Sequence, residues 1–170
     1  MSETKTHAGF VAIVGAPNAG KSTLLNRLIG QKISIVSPKA QTTRMRIVGV
    51  MTEGETQIGF IDTPGIFDAK RRLDHAMVRA AWDSLQGADA VILLVDAQDK
   101  LDEQILSIVE ELKTRKKRVT LALNKVDAIN PNKMLPLAAE LIASGIVDLI
   151  FMISALNGDG VFDLKAHLVK

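Results

Sequence analysis

Short apolar runs rich in β-branched residues alternate along the chain with longer segments whose apolar residues recur every three or four positions. The runs predict buried strands and the longer segments predict amphipathic helices. The predicted strands are Phe10–Val14, Met45–Met51, Thr56–Ile61, Ala90–Val95, Val119–Leu123 and Val147–Ile153. The predicted helices are Thr23–Gly30, Ala76–Leu85, Glu103–Thr114, Leu135–Ser144 and Val161–Val169.

This alternation predicts an α/β fold, because parallel strands are joined by helices that cover both faces of a sheet. A turn at Glu53-Gly54-Glu55 makes a hairpin of the second and third strands, so one strand must be antiparallel. We therefore predict three layers with a six-stranded, mostly parallel sheet. Residues 1–8 are predicted to be an N-terminal tail and residues 9–170 one domain. Ligands in such folds bind at the carboxyl ends of the strands.

Composition agrees with one domain of an ordinary globular protein. The chain has 170 residues, 47% hydrophobic and 24% charged, which suffices for one substantial core. No apolar run has the length of a membrane span, and residues 1–7 lack the apolar core of a signal peptide, so a cytoplasmic location is expected. The absence of cysteine excludes structural disulfides.

Charge gives no general argument for nucleic-acid binding, since the net charge is only +2. The basic cluster Lys113–Arg118 falls where a helix should end, and cations are favoured there by the helix dipole. We interpret it as a solvated helix end rather than a nucleic-acid patch. Lys70-Arg71-Arg72 is interpreted in the same way, as a solvated loop.

The segment Gly15–Ser22 has the spacing GxxxxGK[ST] of a phosphate-binding loop and lies between a predicted strand and a predicted helix, the context that the motif requires. Glycines let successive backbone N–H groups point at phosphate oxygens, and the helix N-terminus adds partial positive charge. Lys21 would reach the β- and γ-phosphates, and Ser22 would offer its hydroxyl to magnesium.

Three further motifs each follow a predicted strand directly. Asp62–Gly65 offers a carboxylate for magnesium through water and a glycine N–H for the γ-phosphate. Asn124–Asp127 offers a carboxylate that accepts from the ring N–H and the exocyclic amine of guanine, a pair of donors that adenine lacks. Ser154–Leu156 offers a backbone N–H for the guanine carbonyl.

Together with Thr42-Thr43-Arg44, these motifs in this order resemble the translation-factor-related P-loop GTPases, which have a Ras-like fold. More narrowly, Gly15–Asn26, Ser37–Arg44 and Arg46–Gly49 resemble the Era family, ahead of the related Der and MnmE families. The resemblance covers essentially the whole chain. It implies a GTP-binding and GTP-hydrolysing switch of small ribosomal subunit assembly and rRNA processing.

The resemblance also implies residue roles. The nucleotide would be contacted by Gly15, Pro17, Asn18, Ala19, Gly20, Lys21, Ser22, Thr23, Asp62, Gly65, Asn124, Lys125, Asp127, Ser154, Ala155 and Leu156. Magnesium would be held by Ser22 and Thr43, with Asp62 acting through water, and Thr42 competes with Thr43 for the metal. Hydrolysis would depend on Asn18, Lys21, Thr43 and Gly65, and the N–H that reads guanine would be that of Ala155.

Two positions bear on how hydrolysis would run. The residue after the Asp-x-x-Gly motif is Ile66, where Ras-like GTPases have a water-orienting glutamine, so the attacking water must be positioned otherwise. Asn18 resembles in position the asparagine that is a potassium ligand in MnmE-like GTPases. A potassium ion there could supply positive charge at the phosphates. Asn18 as a simple turn former is the alternative. Slow intrinsic turnover is expected.

The Era resemblance further implies switch segments at about Gln31–Arg44 and Gly65–Leu73, a monomer, and binding to the small ribosomal subunit and its rRNA. It leaves open an association with the inner membrane. Era proteins also carry a C-terminal KH domain, whose Gly-x-x-Gly clamp is not found after the last predicted helix, so most rRNA binding is expected to be lost. A P-loop kinase and a nucleotide-dependent binding module with negligible hydrolysis are the alternative functions.

Overall fold

The computed structural model describes residues 6–16, 19–30, 47–61, 79, 82–83 and 85–170. Its strands are β1 (His7–Gly15), β2 (Ile47–Glu53), β3 (Thr56–Ile61), β4 (Ala90–Asp96), β5 (Val119–Asn124) and β6 (Val147–Met152). Its helices, within these ranges, are α1 (Lys21–Ile29), α2 (Glu103–Thr114), α3 (Pro131–Ala143) and α4 (Val161–Val169). Short 3₁₀ turns lie at Leu85–Gly87 and Val126–Ala128.

The six strands form one sheet in the order β2-β3-β1-β4-β5-β6. β2 runs antiparallel to β3, and every other neighbouring pair is parallel. The predicted six-stranded, mostly parallel sheet is therefore confirmed. Because parallel strands end at the same edge, the segments that follow β1, β4, β5 and β6 are brought together there.

Helices cover both faces of this sheet. One buried cluster joins the inner strands to α2 and α3, as at Leu93, Leu112 and Leu141. A second joins the opposite face to α1 and α4, as at Leu28 and Leu164. The central strands are mostly apolar because both of their faces are covered, which produces the predicted three layers. No described helix is long and apolar enough to cross a membrane.

Some predicted boundaries were wrong. The helix predicted from Leu135 begins at Pro131, where proline lacks the N–H that a first turn leaves unpaired, and the Asn130 side chain accepts from the Asn132 N–H. β1 begins at His7, inside the predicted tail, because the His7 N–H donates to the Glu55 carbonyl at 2.9 Å. Of the predicted helix Ala76–Leu85, the positions described as helical are 79, 82 and 83.

The basic cluster at the end of α2 is paired with acidic side chains. Lys113 pairs with Glu110 across one turn of the helix. The two arginines of the cluster also contact carboxylates: Arg115 pairs with Glu111 and Asp83, and Arg118 pairs with Asp148. The predicted helix end is confirmed, because α2 ends at Thr114, and the interpretation as a solvated end rather than a nucleic-acid patch stays a prediction. Lys70-Arg71-Arg72 lies outside the described residues.

Candidate functional site

The glycine-rich loop connects β1 to α1, as its spacing predicts. Gly15 ends β1, and a Cβ on it would lie 2.6 Å from the Leu94 carbonyl oxygen. Gly20 has φ 101°, and a Cβ there would lie 2.4 Å from the Asn124 amide nitrogen. Both positions therefore exclude a side chain for reasons of close approach, and Gly20 also adopts a left-handed conformation.

Helix α1 begins directly at Lys21, with its N-terminus at this loop. The first turn contains no acidic residue, and no side chain caps it. Lys21 is half-buried, while Ser22 and Thr23 are exposed. The N–H groups and positive dipole of a helix start suit an anion, so the arrangement fits the predicted phosphate contacts. Pro17 and Asn18 lie outside the described residues.

The buried side chain of Asn124 holds two loops together. Asn124 ends β5 and is only 2% exposed. Its Nδ2 donates to the Ala19 carbonyl at 2.9 Å, and its Oδ1 accepts from the Ala155 N–H at 2.9 Å. Both polar ends of the amide are thus bonded to backbone groups, one in the phosphate loop and one in the loop after β6.

Lys125 is held in place by Asp96, the last residue of β4. Its Nζ lies 2.9 Å from Asp96 Oδ2, while Asp96 Oδ1 accepts from the Gln98 N–H at 2.9 Å. Lys125 has φ 67°, so the backbone turns sharply at this residue. The pKa of Asp99 is raised, chiefly by burial and further by the neighbouring carboxylates of Asp96 and Asp102. The positive charge of Lys125 acts in the opposite direction and lowers this pKa.

Asp127 lies in the 3₁₀ turn Val126–Ala128 and is exposed. The turn is anchored by the Val126 N–H, which donates to the Ile153 carbonyl at 3.2 Å. A cavity of about 310 Å³ opens beside it and brings together residues from the phosphate loop, the Asn124–Asp127 motif and the Ser154–Leu156 motif. It is lined by Gly20, Thr23, Asn124, Lys125, Asp127, Ala128, Ala155 and Leu156. An exposed carboxylate in such a cavity can accept two hydrogen bonds from a base.

The loop after β6 contains the N–H groups of Ala155 and Leu156, of which that of Ala155 was predicted to read guanine. Ser154 is fully buried, and the loop closes on it through the Gly158 N–H, which donates to the Ser154 carbonyl at 2.8 Å. The Ala155 N–H, predicted to read guanine, already donates to Asn124. The Leu156 N–H has no hydrogen-bond partner among the described residues. The donor of this loop that is available to a ligand is therefore the Leu156 N–H, one residue after Ala155.

Two residues of the site were missed at the sequence level. Asp96 ends β4 as Asn124 ends β5, and a polar residue closing an apolar strand was the signal available. Arg27 donates from Nε to the Ala155 carbonyl at 3.2 Å and from Nη2 to the Leu156 carbonyl. No sequence signal distinguishes Arg27 from an ordinary cation near the end of a helix.

Several predicted site residues lie outside the part of the chain that the structure describes. Besides Pro17 and Asn18, they are Thr42, Thr43, Asp62, Gly65 and Ile66, together with both predicted switch segments. Among the described residues no group of three or more acidic or histidine side chains forms a metal site, and Ser22 is the described member of the predicted magnesium set. Ser22 is exposed at the end of the phosphate loop, which fits that role.

Comparison with known proteins finds a matching family and similar relatives. Residues 10–125 match the family model described as 50S ribosome-binding GTPase. The GTPase Era of Caulobacter vibrioides (strain NA1000 / CB15N) is 49% identical over 100% of this chain, which spans 59% of that protein. The chain thus covers less than two thirds of the length of this relative.

Solved structures of Era are similar as well. One is Era in complex with MgGDPNP and nucleotides 1506–1542 of 16S ribosomal RNA, with 42% identity and a TM-score of 0.79, covering 97% of this chain and 57% of that one. Another is an Era variant from Aquifex aeolicus bound to GDP and AlF4⁻, with 42% identity and a TM-score of 0.78, covering 96% of this chain and 56% of that one. The resemblance to Era inferred from the motifs is confirmed.

Proposed function

Because the chain belongs to the 50S ribosome-binding GTPase family, we propose that it binds a guanine nucleotide and hydrolyses GTP to GDP and phosphate. The observation that carries the proposal is the Asn124 side chain, which joins the phosphate loop to the loop after β6. These two hydrogen bonds hold the start of α1 close to the cavity beside Asp127, which supports one continuous site for phosphates and base. The site accounts for both ends of a nucleotide.

The phosphates would lie at the start of α1. Gly15 and Gly20 keep the loop free of side chains, and Lys21 adds a positive charge to that of the helix dipole. Ser22 would hold Mg²⁺ together with Thr43 and Asp62, which lie outside the described residues. Magnesium there supplies positive charge against the phosphate oxygens.

The base would occupy the cavity beside Asp127. The Asp127 carboxylate would accept hydrogen bonds from the ring N–H and the exocyclic amine of guanine. The stem of Lys125, which Asp96 holds in place, would pack along the ring. Adenine presents no such pair of donors to the carboxylate, so the cavity favours guanine.

Asp127→Asn tests this assignment, because an amide presents a donor where guanine also presents one. The variant is expected to weaken GDP binding by at least about 100-fold and to bind xanthosine diphosphate more tightly than GDP. Titration calorimetry with both nucleotides measures the change, and Asp159→Asn, on the loop outside the cavity lining, serves as the control. An unchanged preference for GDP would contradict the base assignment.

Hydrolysis requires water in line with the γ-phosphate and neutralisation of the charge that develops on the phosphate oxygens. Ile66 cannot orient that water by hydrogen bonding. We therefore propose that turnover is slow and that Asn18 helps to hold a potassium ion, which adds positive charge beside the phosphates.

Single-turnover GTP hydrolysis in potassium and in sodium, at equal ionic strength, tests the ion. Hydrolysis is expected to be at least about tenfold faster in potassium, equivalent to about 1.4 kcal/mol in the barrier. Asn18→Ala should remove the difference and leave GDP affinity intact. Equal rates in both salts would exclude potassium, and no hydrolysis in either salt would favour a binding module.

At the level of the cell, we propose that the chain is the GTPase part of a cytoplasmic, monomeric Era-like factor that acts on the small ribosomal subunit. Support comes from the solved Era complex that contains both MgGDPNP and a segment of 16S ribosomal RNA. Association with the inner membrane is a further proposal for the whole protein. Binding of purified small subunits in GTP and in GDP would test the partner directly.

A further inference from the structure

Arg27 lies on α1, six residues after Lys21, and reaches across to the loop after β6. Its guanidinium contacts two successive carbonyls, those of Ala155 at 3.2 Å from Nε and of Leu156 from Nη2. A Cβ on Gly158 would lie 3.6 Å from the guanidinium carbon, so the group packs closely against the backbone of the same loop. The contact joins residues that are 128 positions apart in the chain.

A guanidinium is suited to this contact. It is planar, always charged and offers donors in a fixed fork, so it can hold two neighbouring oxygens in one geometry. Both acceptors are uncharged carbonyls. The pair of bonds therefore orients backbone peptide groups rather than neutralising a carboxylate.

The orientation of one of these peptide groups matters for the site. The Ala155 carbonyl and the Leu156 N–H belong to the same peptide group, and they point in opposite directions because that group is planar and trans. Because Arg27 holds the Ala155 carbonyl oxygen, the Leu156 N–H is directed away from the guanidinium. That N–H lacks a partner among the described residues, and both residues line the cavity that contains Asp127.

We propose that Arg27 is a positioning residue for guanine recognition: it directs the Leu156 N–H at the carbonyl oxygen on position 6 of the base. The inference rests on the proposed binding of a guanine nucleotide. Arg27 itself touches no nucleotide atom in this role. It acts through the peptide group, and it links the helix that starts at the phosphates to the loop that recognises the base.

The proposal predicts an effect confined to position 6. Arg27→Gln should weaken GDP binding by about tenfold, the loss expected for one well-aligned hydrogen bond. It should weaken binding of 6-thio-GDP by less than about twofold, because sulfur is a weak acceptor and gains little from the aligned N–H. Arg27→Lys keeps the charge but lacks the fork, and an intermediate loss for GDP of about threefold is expected.

Arg118→Gln is the matched control. Arg118 also donates to a loop carbonyl, that of Gly145 at 3.1 Å. It lies just before the start of β5, whereas the candidate site lies where the strands end. Both nucleotides should bind this variant as they bind the unmodified chain. Affinities are measured by titration calorimetry, and urea unfolding of each variant reports its stability separately.

Equal weakening of GDP and 6-thio-GDP in Arg27→Gln would overturn the proposal and leave Arg27 as a structural contact. If Arg27→Gln does not fold, the ratio of the two affinities in Arg27→Lys decides the question by the same criterion. A failure of the proposed function has a different signature, because the unmodified chain would then bind ADP as well as GDP.

Discussion

At the scale of single residues, the site depends on side chains that hold other groups in position. Asn124 uses a donor and an acceptor at once, a combination that neither Asp nor Leu of similar size supplies. Asp96 similarly uses one oxygen for the Gln98 N–H and the other for Lys125. These contacts hold in fixed positions the groups that we propose to bind the nucleotide, and fixed positions lower the entropic cost of binding.

Asp96→Asn tests whether the ion pair with Lys125 assists binding. The amide retains an oxygen for the Gln98 N–H but loses the charge that holds the Lys125 ammonium. GDP affinity is expected to fall about fivefold, because Lys125 would spend more time away from the base. Asp148→Asn is the control, since it removes a comparable carboxylate paired with Arg118 in the first half of β6. A GDP affinity unaffected by Asp96→Asn would limit that pair to a structural role.

At the scale of elements, the start of α4 shapes the loop that borders the base cavity. Gly160 precedes the helix with φ 72°, and a Cβ on it would lie 2.2 Å from the Met152 carbonyl oxygen at the end of β6. The Ser154 N–H donates to the Asp159 carbonyl at 2.8 Å, so the loop is closed against the same turn. Strand, loop and helix therefore form one tightly packed unit.

Gly160→Ala is expected to destabilise the fold more than Gly145→Ala. Both glycines are left-handed, but a Cβ on Gly145, at φ 82°, would meet no atom within 4 Å. The backbone conformation alone should cost about 1 kcal/mol at Gly145, and the added overlap should bring Gly160→Ala to about 3 kcal/mol. Urea unfolding measures both free energies. Equal losses would mean that the approach to Met152 relaxes without cost.

At the scale of the whole molecule, the candidate site is assembled from elements on both faces of the sheet. α1 packs on one face and α3 follows the Asp127 turn on the other, with β4, β5 and β6 between them. A nucleotide that contacts α1 and the turns after β5 and β6 bridges these layers. Binding should therefore stabilise the entire fold.

GDP at 100 times its dissociation constant is expected to raise the free energy of unfolding by about 2.7 kcal/mol. The gain follows from binding to the folded state alone. Urea unfolding with GDP, with ADP and without nucleotide measures it, and ADP at the same concentration should have little effect. Equal protection by ADP would argue against a guanine-selective cavity.

Local pattern was sufficient for most of the fold and for the identity of the motifs. β-branched runs and helical spacing predict elements because burial on a sheet or a helix face imposes a period on the sequence. The loop from Gly15 to Ser22 and the segment from Asn124 to Asp127 were also evident, because each depends on residues that are close together in the chain. Helix ends were predicted less well, as at Pro131, since a cap and a proline outweigh apolar spacing there.

The sequence by itself therefore determined the order of the elements, the phosphate loop and the candidate base-binding motif. Only the tertiary structure decided that Asp96 holds Lys125, that Arg27 holds the loop after β6, and that the Leu156 N–H rather than that of Ala155 is available. The physical reason is that these contacts join residues distant in the chain. Their proximity follows from the strand order β1-β4-β5-β6 and from the packing of α1, neither of which any local pattern contains.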